Sequence, residues 1–254
     1  MRKGAATATG IGAQLVALIG LLILWEVGVR AFGVASHNMP TASAVLRDLA
    51  GNLPLIGRGL VRTLTETVIG FAIGAAIGFV FGSAFAVSRT LERLLFPLFI
   101  VSQAIPVIAF GALVVMWLGN GIWSKVAIAM YLTAFPVTVN TCRGMQSVDP
   151  QRVALLRSFG AGPWSLFWRL RVPYALPSIA AALKLGISLG LVGAIVGEWF
   201  GDTVGLGIML LQAMYNENLP RMWSLILVCG GVGIVLYGLV EAAERRWIFW
   251  KQEI

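Results

Sequence analysis

Charge is what this sequence has least of. Asp, Glu, Lys and Arg make up 12% of its 254 residues, where a water-soluble domain carries about 25%. So few ionic groups cannot cover a soluble surface, and 58% hydrophobic residues with a mean hydropathy of +0.86 read as membrane. Histidine is scarcer still. His37 stands alone with no Cys or His beside it, so it reads as a loop residue and no metal site is expected. Two cysteines, Cys142 and Cys229, are too few for a disulfide framework and fall in or beside apolar runs, so they read as thiols. No Ser/His/Asp or Cys/His constellation occurs, which leaves no catalytic residue to assign and excludes covalent chemistry. A Gly-x4-Gly-Lys-Ser/Thr phosphate loop is also missing, so any ATP used would be bound by another chain. Nor does a polar linker or low-complexity run divide the sequence, and a single transmembrane domain over 1–254 is expected.

What is present is a series of long apolar runs separated by basic loops. About six spans are expected, at roughly 11–32, 60–87, 96–118, 124–141, 179–200 and 223–243. The first is too long for the apolar region of a usual secretory signal and lacks a convincing cleavage site after it, so it reads as a retained span. The net charge of +8 would suit nucleic acid, but the basic residues lie in short interhelical loops, as the positive-inside rule expects. Twelve fall on one side (2, 3, 89, 93, 143, 152, 157, 169, 171, 245, 246, 251), six on the other (30, 47, 58, 62, 125, 221), and Lys184 within a span. The richer side is assigned to the cytoplasm together with both termini. Trp247 and Trp250 read as an interfacial belt beyond the last span, and Thr41 to Leu49 as an interfacial helix. Residues 201–221 read as an external connector.

Within the spans the recurrent feature is glycine. Gly70, Gly74, Gly78 and Gly82 recur every fourth residue, and Gly186, Gly190, Gly193 and Gly197 form a second small-residue face, which permits close helix packing inside a bundle. Pro106 and Pro136 interrupt the third and fourth spans, and the kinks they impose make them candidates for lining a pathway. Glu26 and Arg30 are spaced to pair along one helix. Lys184 is expected to snorkel toward headgroups, and Glu198 to sit at a cavity mouth beside Asp202.

The longest polar interruption runs from Asp149 to Ser178 within a loop taken as 142–178. Asp149 followed by Pro150 is a helix start, while Gly160, Gly162 and Pro163 supply the stop. Val153, Leu155, Leu156, Phe159 and Gly160 share one face, so a short helix with an apolar face is expected on the cytoplasmic side, where it needs interface lipid or a protein against it.

These residues resemble the cytoplasmic Glu-Ala-Ala loop of the membrane subunits of ATP-binding-cassette importers. Gly160 and Pro173 stand at that pattern's spacing, Leu170 and Val172 replace its Ile and Leu, and Arg157-Ser158-Phe159-Gly160-Ala161 is similar to a common version of its centre. The first triplet departs, reading Ala154-Leu155-Leu156, so the acidic residue is replaced by Ala154. The resemblance extends over most of the chain, to the branch that imports sulfonates, nitrate, taurine, thiamine-precursor pyrimidines or riboflavin. It implies an all-α, type I importer permease in the bacterial inner membrane, with Val153 through Ala161 (Val153, Ala154, Leu155, Leu156, Arg157, Ser158, Phe159, Gly160, Ala161) as the ATPase-coupling segment. It also implies two cytoplasmic ATPase subunits carrying ATP and Mg, a second permease copy forming a homodimer, and an extracytoplasmic solute-binding protein, with no cofactor in this chain. The scarcity of charge near the pathway leans toward a neutral or aromatic solute, a pyrimidine or flavin. An ion-coupled secondary transporter is the alternative class, and it would want carboxylates at the membrane midplane.

Overall fold

A computed structural model describes residues 3–33 and 38–248. Arg2, His37, Trp250 and Lys251 lie outside the described residues. Among those described, every regular element is helical: α1 (Lys3–Ala31), α2 (Ala42–Gly51), α3 (Leu53–Val87), α4 (Arg89–Ser102), α5 (Val107–Leu118), α6 (Ile122–Gln146), α7 (Pro150–Ser158), α8 (Pro163–Leu166), α9 (Val172–Glu198), α10 (Leu206–Tyr215) and α11 (Leu219–Trp247). A π-helical turn, Phe167–Arg171, joins α8 to α9. Pro173 has no amide hydrogen for the carbonyl four residues back and its ring crowds that carbonyl, so widening the preceding turn relieves both faults.

Four of the described helices are long and apolar enough to cross a membrane: α3, α6, the continuous α8–α9 rod from Pro163 to Glu198, and α11. A fifth span exists if α4 and α5 count together, although they are bent 98° apart. The break runs over Gln103–Pro106, where Pro106 caps α5. Sequence reading treats 96–118 as one interrupted span, and assigns 88–95 to a loop. The structure instead starts α4 at Arg89, because the Ser88 hydroxyl accepts the Leu91 amide hydrogen and provides an N-cap.

The chain divides into two compact units, residues 1–57 with 209–229, and residues 58–208 with 230–254. In the first, the Trp25 indole donates to the Pro40 carbonyl at 3.1 Å and packs on Trp223 with centroids 5.0 Å apart. Glu26 pairs with Arg30 as its spacing suggests, and it also accepts from the Ser43 amide and hydroxyl, both at 2.9 Å, which ties α1 to α2. Asp48 on α2 holds Arg221 at 2.8 Å and accepts from Ser224 Oγ at 2.7 Å, both on α11.

The second unit is organised around α6, with α3 on one side and α9 on the other. A β-carbon at Gly74 would stand 2.6 Å from the Met130 carbonyl, one at Gly78 2.7 Å from that of Ala134, and one at Gly82 2.5 Å from that of Thr138. From the other side, a β-carbon at Gly193 would meet the Ala129 Cα at 2.8 Å, and one at Gly186 the Thr133 methyl at 3.2 Å. Both glycine faces therefore bring backbones together, which maximises dispersion contacts where no hydrophobic driving force separates helix from lipid. Thr133 adds an interhelical bond, its hydroxyl donating to the Gly186 carbonyl at 3.0 Å. Pro136 is buried in the middle of α6.

Candidate functional site

The polar segment between α6 and α9 is shorter than its sequence suggests. α6 continues to Gln146 and the α8–α9 rod starts at Pro163, so only α7 and two tight turns stand outside these helices. Asp149 Oδ1 accepts the Gln151 amide at 2.9 Å, and Pro150 takes a first-turn position where its missing N–H costs nothing. At the other end Gly160 has φ +81°. Its amide donates to the Arg157 carbonyl at 2.9 Å, and the Ala161 amide to the Leu156 carbonyl at 3.0 Å, the two reverse bonds of a Schellman stop. Nothing lies within 4 Å of where a β-carbon at Gly160 would sit, so this glycine is required by backbone conformation and not by packing.

No residue of α7 is buried. Leu155 is 58% exposed, Phe159 78% and Trp164 74%, an uncovered apolar strip beside the basic Arg157. Val153, Leu156 and Ala161 are half-buried, whereas Ala154, Arg157, Ser158 and Gly160 are exposed. The segment is nevertheless firmly mounted. Met145, Ala175 and Ile179 form a buried cluster against which Phe79, Phe167 and Val172 pack. A β-carbon at Gly144 would stand 3.0–3.2 Å from Ser178 and Ala175, so α6 and α9 touch just where α7 departs and returns. The Arg152 guanidinium lies 5.8 Å from the Tyr174 ring centroid, and Arg171 donates to the Ala86 carbonyl at 3.3 Å.

The remaining expected site residues are placed differently. Glu198 is wholly buried, not at a cavity mouth: its Oε1 accepts from Thr63 Oγ1 at 2.6 Å and its Oε2 from the Gly207 amide. Thr63 Oγ1 in turn accepts the Leu206 amide at 2.9 Å. Residues 201–221, read as a bare connector, thus contain α10, whose first amides are capped by side chains of α3 and α9. Around them run ion pairs that sequence reading missed. Arg62 stands 2.7 Å from the buried Glu66, and Asp202 lies 3.6 Å from Arg62 and 3.4 Å from Lys125. Lys125, counted above among the external basic residues, is fully buried and also donates to Asn120. The polar run Thr63, Glu66, Thr67 inside an apolar helix is the signal that could have found this network, since all three are fully buried on one face of α3. Lys184, expected to snorkel toward headgroups, pairs with Glu244 on α11 at 2.6 Å, with the Tyr237 ring centroid 5.8 Å away. Pro106 is exposed at the α4–α5 break.

Membrane-spanning helices packed backbone to backbone, with one short capped helix standing free of them, define a polytopic helical transport subunit. The family model for the binding-protein-dependent transport system inner membrane component matches residues 58–249, and the chain belongs to that family, the inner-membrane permeases of ABC importers. It is 33% identical over 233 residues to the formylaminopyrimidine transport permease protein ThiX of Halalkalibacterium halodurans, covering 92% of this chain and 93% of that one. It is 34% identical over 238 residues to the riboflavin transport system permease protein RibX of Chloroflexus aurantiacus, covering 93% and 89%. An inward-facing structure of the MetNI methionine ABC transporter superposes with a TM-score of 0.67 over 78% of this chain and 96% of its own, at 19% identity, so the fold is shared.

Proposed function

We propose that Val153 through Ala161 is the surface on which the partner ATPase docks, and that ATP-driven closure of two such ATPases moves α7 and, through it, α6 and α9. The observation that carries this is mechanical. A solvent-exposed helix capped at both ends, with Leu155 and Phe159 uncovered at its stop, joins two membrane-crossing helices that pack on each other just where it departs and returns. Two copies of this permease complete the pathway, with both termini in the cytoplasm and a solute-binding protein delivering cargo from outside. The bend at Pro106 and the buried Pro136 are where the pathway-lining helices yield. A nitrogen heteroaromatic, a pyrimidine or a flavin, is the solute; the names of the two relatives support this, as does the scarcity of charge.

Replacing Gly160 tests the docking surface. In Gly160→Trp the indole stands in open space on the α7 stop, and the left-handed backbone costs about 1 kcal/mol without glycine. The variant is expected to insert and extract normally while ATPase co-purification and ATP-dependent uptake collapse. Ala154→Glu, at an exposed position, is expected to transport normally. Wild-type uptake by Gly160→Trp would remove the docking role. Uptake of riboflavin and of formylaminopyrimidine by the reconstituted complex, against taurine, an alkanesulfonate and nitrate, decides the solute, and dependence on ATP and not on an ion gradient excludes a secondary transporter.

A further inference from the structure

A cavity of about 1050 Å³ opens beside α7, between the end of α3, the start of α4 and the end of α6. Four arginines line it, Arg89 and Arg93 from the first turns of α4, Arg157 from α7 and Arg171 from the π-helical turn, against a single acid, Glu92. Glu92 is held by the Gln146 side-chain amide at 2.9 Å. Arg171 donates to the Ala86 carbonyl, whereas among the described residues no salt bridge or side-chain hydrogen bond engages Arg89, Arg93 or Arg157. The wall is of the opposite character: Val87, Met145, Val148 and Val153 are apolar. The cavity therefore pairs a cationic lining with an apolar wall. It also sits where two helices long and apolar enough to cross a membrane end, α3 at Val87 and α6 at Gln146.

We infer that this cavity binds the phosphate of an anionic phospholipid on the cytoplasmic face, with the guanidinium groups on the phosphate and the apolar wall along the glycerol and first acyl carbons. Guanidinium matches phosphate oxygens in a bidentate fork, and basic pockets between spanning helices at the cytoplasmic surface are suited to such headgroups. The inference rests on the topology and docking reading above, and it adds a consequence. Because Val153, Ala154 and Arg157 belong to both surfaces, a lipid in the cavity sets how α7 is held behind the ATPase.

The test uses the complete transporter in nanodiscs of phosphatidylcholine with and without phosphatidylglycerol, comparing wild type with an Arg89→Gln/Arg93→Gln variant, whose substitutions lie outside the coupling segment. Native mass spectrometry after mild extraction is expected to show phosphatidylglycerol retained by wild type over phosphatidylcholine. Retention should fall roughly fivefold for each guanidinium removed. ATPase stimulation by loaded binding protein should rise with phosphatidylglycerol in wild type and not in the variant, while ATPase co-purification stays the same in both. Equal retention of the two lipids, or enrichment unchanged in the variant, overturns the inference. So does reproduction of the phosphatidylglycerol effect by millimolar inorganic phosphate in phosphatidylcholine discs, which would make the ligand a free anion. Lost ATPase co-purification with lipid retention intact would assign the cavity to the ATPase, and it too would overturn the inference. Failure of the docking proposal itself shows separately, as transport by Gly160→Trp.

Discussion

Glu198 shows how a single side chain can be read correctly as unusual and still be misplaced. A carboxylate near the end of an apolar span is costly, and the bare spacing leaves open whether function or structure bears the cost. Here its two oxygens receive Thr63 Oγ1 and the Gly207 amide, so both are consumed in holding the start of α10. Glu198→Ala would leave the Gly207 amide buried without an acceptor, at about 1–3 kcal/mol. The purified protein should melt several degrees lower in detergent, and Glu198→Gln, which keeps one acceptor oxygen, should recover part of the loss. Equal melting of Glu198→Ala and wild type would return Glu198 to the list of pathway residues. Gly160 is the converse case. Its role as a helix stop was legible from Gly160, Gly162 and Pro163 alone, because a reverse turn in left-handed conformation is a local requirement.

At the scale of elements, α7 and α10 differ in one respect. α7 carries its own caps, Asp149 before it and Gly160 after it, and the sequence announces both. α10 borrows its caps from Thr63, 143 residues away along the chain from Leu206, and from Glu198. Gly205, next to Leu206, has no side chain with which to accept an amide, and a connector was the natural reading. The glycine faces of α3 and α9 were legible as packing faces, but not that both serve one helix. With α6 pressed from two sides, Gly74→Val would drive its methyls at a carbonyl 2.6 Å from the β-carbon, and backbone cannot yield as a flexible side chain does. Membrane-inserted, monodisperse protein should fall several-fold for Gly74→Val. The same change at Gly231, which has nothing within 4 Å of its β-carbon, should be tolerated. Similar yields for the two would refute the close approach of α3 and α6.

For the whole molecule the decisive quantity is the distribution of nineteen basic residues among loops and spans. The proposed topology places Asn52 and Gln212 outside and Gln151 inside. In a background lacking Cys142 and Cys229, cysteines at the first two positions should react with a membrane-impermeant maleimide in intact cells, and one at Gln151 only after permeabilisation. The opposite pattern would overturn the assignment of both termini to the cytoplasm. The counting itself needs amendment, since the buried Lys125 pairs with Asp202 and the half-buried Arg62 with Glu66, so neither stands as a free loop charge. That amendment leaves the asymmetry intact, because it removes charges from the poorer side only.

Composition, run length and the caps of the Asp149–Ser178 interruption determined by themselves that the chain is a helical membrane protein with one short polar helix, since hydropathy, charge scarcity and helix caps are properties of neighbours along the chain, and the resemblance of Arg157 to Pro173 to the importer loop added the permease reading. Lipid offers the backbone no hydrogen bonds, so a long apolar run has almost no choice but helix. Only the tertiary structure decided which helix the glycines face, that Lys184 answers Glu244, that α4 and α5 meet at 98° before Pro106, and that Glu198 caps α10. The glycine contacts, the Lys184–Glu244 pair and the Thr63–Glu198 bond that completes the α10 cap each join residues far apart in sequence. Their energies depend on distance and on exclusion of water, neither of which exists until the helices have packed.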